Sequence, residues 1–356
     1  MRMIYRKYLF TVMSLLILGT QNFLFSMEYE IVDLGTLETD RSDARCINDL
    51  GQVCGTYVFQ GECHCFFWDP EKGVSCLDLP EGACPFKINN RGQIIGGFTI
   101  GKTTRRCFFW DPVTGFIDIG TLGGDEIRVT GINDRGQVVG SSDTGTGPTN
   151  ERHAFLWENG SMKDLGTLCG DLCLHGNESA ALGINNEGVI VGYSNHAIVH
   201  KGKKLLSPYK AVIWKNGQIQ QLDIANSEIY HESKASAINN QMQVLYRCNG
   251  GCYVRDMYSG KDFQVHFSNL DLSKITENDA ILNQHWVLLD CIDKFSKNYR
   301  SSANVNLKNS IWQGIDGHCD VNNANWIVGV ATTLYGESHA ILLRPIGKCS
   351  VASKSR

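Results

Sequence analysis

The chain has 356 residues, 42% hydrophobic and 20% charged, the composition of a foldable globular protein of one large or two modest domains. Its net charge of −4 at pH 7 becomes −7 once residues 1–26, with three basic and no acidic side chains, are set aside. A net-acidic mature chain argues against nucleic acid as a partner.

At the N-terminus Arg2, Arg6 and Lys7 precede the apolar run Tyr8–Leu18, and polar and small residues follow. That order predicts a secretory signal peptide over residues 1–26, cut after Ser26, with an uncleaved anchor as the alternative. The apolar run is too short to span a membrane comfortably, so no transmembrane span is expected in the mature chain. All fourteen cysteines follow it, and in an exported protein disulfides are the default. At about 4% of residues they are staples rather than a framework, which needs roughly 8%.

From residue 27 to residue 346 the chain repeats, and residues 347–356 read as a tail. The mature sequence opens on YEIVDLGTLE, Tyr29–Glu38. The stretch CINDLGQVCG, ending at Gly55, then recurs as KINNRGQIIG to Gly96, GINDRGQVVG to Gly140 and GINNEGVIVG to Gly192. Its asparagines Asn48, Asn89, Asn133, Asn185 and Asn239 are 41, 44, 52 and 54 residues apart, with weaker counterparts near Asn283 and at Asn322. After each hairpin comes a run such as CFFWD to Asp69 and Asp111, HAFLW to Trp157 or AVIW to Trp214. A fourth element follows a short turn, as in FIDIGTLGG from Phe116 and MKDLGTLCG from Met162.

Short apolar runs bounded by Asn, Asp, Gly and Pro are strand signals, and helical spacing is not sustained. Four strands in roughly 40–50 residues is the size of a β-propeller blade, while a β-helix coil is shorter. The chain begins on a fourth-strand element and ends on the third-strand element HAILLRP, His339–Pro345. The expected fold is therefore all-β, a closed propeller whose first strand completes its last blade. Seven hairpins predict seven blades. Six is the alternative, because INNQMQVLY loses its glycines and LNQHWVLLD is a residue short.

His153-Ala154-Phe155-Leu156-Trp157, the run Asp164-Leu165-Gly166-Thr167-Leu168 and the Ile-Asn-Asp/Asn-x-Gly-Gln-Val-Val-Gly hairpin resemble the HAF-repeat family of extracellular bacterial proteins. The resemblance covers most of residues 29–345 and is strongest through Gly192. It implies export and a repeat fold, and it supplies no catalytic residue. The chain departs from the pattern with cysteines at Cys54, Cys107 and Cys169.

The repeated asparagines Asn48, Asn89, Asn133, Asn185 and Asn239 read as structural turn residues, since Asn bonds backbone two residues on and the following Gly accepts positive φ. Trp68, Trp110, Trp157 and Trp214 read as fillers between blades. Cys63-His64-Cys65, Cys169 and Cys173 with His175, and Cys248 with Cys252 are the cysteine clusters. Paired zinc knuckles are missing, so local disulfides Cys169–Cys173 and Cys248–Cys252 are expected rather than a metal. His318-Cys319-Asp320 is poor evidence for a dyad, because neighbours on a strand point to opposite faces.

In a four-stranded meander the turns between strands one and two and between three and four share one edge, and here they are short and uniform. The other two connections share the opposite edge and vary in length, which marks a binding face. One of them carries Lys201, Lys203, Lys204 and Lys210, a candidate patch for an anionic glycan or lipid surface, or a solvated loop. The expectation is a monomeric exported module, secreted, periplasmic or on the envelope, that binds a glycan or protein. No cofactor, metal or catalytic residue is assigned. The alternatives are a secreted hydrolase or lyase acting on glycans, and an envelope protein cross-linked through disulfides.

Overall fold

The computed structural model describes residues 7–18, 21–35, 41–101, 104–145, 151–169, 177–195, 197–200, 203–206, 209–222, 232–265, 312–324 and 326–352. Among them the regular structure is β alone, and no helix is long and apolar enough to cross a membrane. The chain forms two compact units, one of Met1–Pro85 with Ala280–Arg356, the other of Phe86–Asp279.

In chain order β1 (Lys7–Leu18) and β2 (Gln21–Asp33) precede an antiparallel sheet of β3 (Ser42–Ile47), β4 (Val53–Phe59), β5 (Glu62–Asp69) and β6 (Gly73–Leu77). The second unit holds four such meanders. The first is β7 (Cys84–Ile88), β8 (Ile94–Ile100), β9 (Thr104–Asp111) and β10 (Gly115–Asp118). Next comes β11 (Ile127–Ile132), β12 (Val138–Asp143), β13 (Arg152–Glu158) and β14 (Ser161–Asp164). The third begins with β15 (Ser179–Ile184) and β16 (Ile190–Ser194). A separate hairpin of β17 (Ala197–His200) and β18 (Lys203–Leu206) is inserted before β19 (Lys210–Lys215) and β20 (Gln218–Gln221) complete the sheet. The fourth is β21 (Ser233–Ile238), β22 (Gln243–Cys248), β23 (Gly251–Asp256) and β24 (Asp262–Val265).

The last sheet, in the first unit, orders β25 (Trp312–Val321), β26 (Ile327–Thr333) and β27 (Ser338–Ala352) next to β2 and then β1. Asp33 lies opposite Ile341 and Glu28 opposite Ile346, so the start of the chain supplies the fourth strand of its final blade. This closes an edge that an open sheet leaves unpaired. The pairing from Glu28 to Asp33 lies entirely beyond the expected cut after Ser26. β27 runs past Ile346 to Ala352 because Leu24–Ser26 extend the ladder, so the expected tail is partly strand.

Six blades are thus present among the described residues, and the hairpin expected near Asn283 lies outside them. Trp68, Trp157 and Trp214 of the third strands fill the space between neighbouring sheets, whereas Trp110 is half-buried and Phe109 occupies that place in its blade. Trp157 packs with Ile95, Phe109 and Val129, and Trp214 with Val139, Leu165 and Ile184. Trp68 joins Leu34, Ile47 and Leu342 in the first unit. Each aromatic side chain buried in this way contributes several kcal/mol, of order 3–5 by truncation.

Candidate functional site

Each blade has two edges with different chemistry. At the uniform edge the Asn133 Oδ1 accepts from the amides of Arg135 at 3.0 Å and Gln137 at 3.1 Å, and Gly136 takes φ 79°. Asn48, Asn89 and Asn185 close their turns in the same way, and the Asn239 Oδ1 accepts from Gln243. The same asparagines also reach across to the next blade. In the second unit Asn89 Nδ2 donates to the Asn133 carbonyl, Asn133 to Asn185 and Asn185 to Asn239, at 2.8, 2.9 and 3.2 Å. In the first unit Asn322 donates to Asn48 at 3.0 Å.

A second row runs beside the first. The Asn90 amide donates to Asp134, the Asp134 amide to Asn186 and the Asn186 amide to Asn240. The glutamine of the motif completes the network: Gln93 Nε2 donates to Asp111 at 2.8 Å and Gln52 Nε2 to Asp69 at 3.0 Å. The Gln52 bond, with the turn amides of Glu71 and Lys72, holds the Asp69 carboxyl below its ordinary range against burial. These side chains are taken up in closing turns, bracing strands within a blade and linking neighbouring blades.

The opposite edge begins with two recurring clips. Ser42 Oγ donates to the Gly35 carbonyl and accepts from the Ala340 amide, both at 2.8 Å, and Ser179 does the same with Gly166 and Ala154. Ser233 accepts from Ala211. The second clip joins the third strand to the fourth. His153 Nδ1 lies 2.8 Å from Asp164, His339 Nδ1 3.0 Å from Asp33, and Arg106 Nη2 3.1 Å from Asp118. The bond to Asp164 raises the His153 pKa above the usual histidine value despite burial. At His339, burial is the largest effect and opposes the shift, but Asp33 and Glu337 still raise it. The histidine and glycine of the HAF and DLG motifs are thereby explained as blade chemistry.

Three equivalent positions immediately before the first strands hold Glu126, Glu178 and Glu232, and each has different company. Arg152 reaches Glu126 at 2.8 Å and Asp143 at 3.0 Å, holding the Glu126 carboxyl below its ordinary range. The Tyr209 hydroxyl donates to Glu178, and its ring meets that of Tyr193 edge-on at 4.7 Å. Lys234 Nζ sits 4.7 Å from both tyrosine centroids and 2.8 Å from Glu232. Lys234 and Glu232 keep 38% and 55% of their side chains exposed, so this aromatic and charged cluster faces solvent.

Only part of the expected lysine patch lies on this edge. Lys203 and Lys204 belong to the inserted hairpin at β18, and Lys201 lies outside the described residues. Lys210 is a correction: it opposes Ser194 in the ladder and is 2% exposed, with its pKa lowered by burial. It occupies the place of His153 and Arg106 at the start of a third strand, which sequence spacing from a lysine-rich loop concealed. The expected Cys248–Cys252 bridge is also corrected. Both thiols are free; Cys248 opposes Gly251 and Cys252 opposes Arg247, so their side chains point to opposite faces of the hairpin. Cys169 is disulfide-bonded, and Cys173 lies outside the described residues.

The remaining clusters do not converge. His64 stacks on Tyr57 while Cys65 donates to the Ala83 carbonyl. Asp320 accepts from the Ile47 amide at 3.2 Å, tying two sheets together. Among the described residues no three His, Cys, Asp or Glu side chains are grouped to hold a metal. The glutamate series and the tyrosine–lysine contact were missed by reading the sequence. The glutamates carried a signal, one Glu directly before each of these three first strands, whereas Tyr193, Tyr209 and Lys234 come from separate stretches of the chain and carried none.

No protein-family model and no curated protein matches the chain. Its fold is similar to solved β-propellers. The propeller domain of the Trilobed protease from Pyrococcus furiosus is 10% identical, with a TM-score of 0.46 over 96% of this chain and 95% of that one. A gluconolactonase from Xanthomonas campestris is 9% identical, with a TM-score of 0.38 over 89% and 90%. An acylaminoacyl peptidase is 11% identical, with a TM-score of 0.42 over 96% of this chain and 52% of that one.

Proposed function

We propose that the chain is an exported binding module that meets a glycan or protein ligand with the variable edge of its blades. The observation that supports this reading is the contrast between the two edges. One is a network of hydrogen bonds from blade to blade within each unit, while the other sets Glu126, Glu178 and Glu232 at one repeated backbone position among unlike partners. A constant frame with changing side chains and an inserted hairpin on one edge is the arrangement of a recognition surface.

Tyrosine rings and partly exposed ion pairs suit a polar ligand with hydroxyl or charged groups. The test is retention of the mature protein, residues 27–356, on panels of immobilised glycans and envelope or host proteins. Retained ligand that is lost on Lys234→Glu or Arg152→Glu supports the reading. Turnover of a polysaccharide without retention replaces it with the hydrolase or lyase. Export is tested separately, by the N-terminal sequence of protein recovered outside the cytoplasm, which is expected to begin at Met27. Recovery as a monomer is expected; disulfide-linked multimers on a non-reducing gel favour the structural envelope protein.

A further inference from the structure

Cys46 and Cys54 face each other directly across β3 and β4, beside a bulge between Ala44 and Cys46. Both are fully buried free thiols. The repeat supplies its own comparison. The corresponding cross-strand pairs are Gly131 with Val139, Gly183 with Val191, and Ala237 with Leu245, each at the same bulge. In those blades a small residue faces a large one. In this blade both partners are cysteine.

Directly opposed antiparallel residues have Cα atoms about 4.5–5.5 Å apart, inside the range that a disulfide spans without backbone movement. Burial, and then the hydrogen bond with Cys46, pushes the Cys54 thiol well above its ordinary pKa. The thiolate needed for exchange is therefore scarce in the closed blade.

We propose that Cys46 and Cys54 form a cross-strand disulfide, made by exchange with a disulfide oxidant before the blade closes over them. One cysteine thiolate attacks the oxidant's disulfide, forming a mixed disulfide and releasing one oxidant thiol. The second cysteine, deprotonated, attacks the protein sulfur of that bond and releases the other oxidant thiol. Two electrons pass to the oxidant, and two protons leave the protein thiols for its two sulfurs. The bond pins the first strand of the blade that packs on the chain's final sheet, and burial then shields it from reductant. It does not depend on the binding reading, nor on the Cys169 bond.

The test is refolding of the reduced full chain with oxidised glutathione, alkylation in denaturant, and peptide mapping without reduction. The expected result is a linked peptide joining Cys46 to Cys54, both unlabelled until reductant is added. The wild type is also expected to melt several degrees higher oxidised than reduced, a difference that shrinks in Cys46→Gly/Cys54→Val, the pair used by two other blades. Quantitative labelling of both thiols in the refolded protein, or linkage of either to another cysteine, overturns the proposal. Mapping of the wild type decides the matter even if the variant does not fold.

Discussion

The Asn133 side chain accepts from Arg135 and Gln137 through Oδ1 and donates to the Asn185 carbonyl through Nδ2. Asn133→Ala removes all of these bonds in a buried setting, at an expected cost of about 2–4 kcal/mol by denaturant unfolding. Asn133→Asp keeps the acceptor and removes both Nδ2 bonds, to the Asn185 carbonyl and to Gln137 Oε1. It is expected to cost about 1–3 kcal/mol; a neutral effect would show that neither Nδ2 bond contributes to stability. Gly136→Ala should cost about 1–2 kcal/mol for its left-handed φ of 79°. The added Cβ would also come within 3.1 Å of Gln93 Oε1 on the neighbouring blade. The histidine pairs add a pH dependence. The folded pKa values of His153 and His339 are raised, so their contribution is complete below the unfolded value of about 6.5 and is lost as pH rises through the folded values. Thermal melts at pH 6 and pH 8 should differ less in His153→Gln/His339→Gln than in wild type, by under about 1 kcal/mol per pair.

Among the elements, β2 is the one whose removal should matter most. Val32 and Leu34 lie in the core of the first unit, and Asp33 holds His339. Deleting residues 27–35 exposes the edge of β27 and is expected to give aggregation or loss of the cooperative melt. Deleting residues 1–26 should leave the melt of the blades in place; a collapse there would contradict the role given to the Glu28–Asp33 pairing. Much of this level was legible in sequence. The Asn-x-x-Gly turn, the Trp-ending third strand and the DLG element each carry local chemistry that repeats, and their incomplete ends announced the shared last sheet. The bulge two residues before the first-strand Ile of four blades was not legible, because the inserted residue differs in each (Arg45, Thr130, Leu182, Ser236) and a glycine follows it only at Gly131 and Gly183. Lys210 and Cys248 were misread because their surroundings looked like loop. Strand register decides on which face a side chain falls, and spacing along the chain does not record it.

For the molecule as a whole, the division between edges is the claim on which the functional reading stands. The asparagine rows lie at the uniform edge, whose geometry leaves little to vary without loss of stability. The tyrosine–lysine cluster lies at the other, partly in solvent, where reversing Lys234 should cost little folding energy, whereas Arg152 also neutralises the buried Asp143. Reading the sequence located the variable edge through its insertions. It did not locate the side chains, because Glu178, Tyr193, Tyr209 and Lys234 come together only when β15, β16, β19 and β21 are packed.

The most direct measurement is a paired one on residues 27–356: melting temperature and retention on the glycan and protein panels for wild type, Arg152→Glu, Lys234→Glu and Asn133→Asp. Lys234→Glu should lose retention at least tenfold, equivalent to about 1.4 kcal/mol, with melting within about 2 °C of wild type. Arg152→Glu should lose retention too but melt lower, because it sets a carboxylate against buried Asp143. Asn133→Asp should melt lower while its folded fraction is retained as well as wild type. Loss of retention in Asn133→Asp with none in the two charge reversals would contradict the division between the edges.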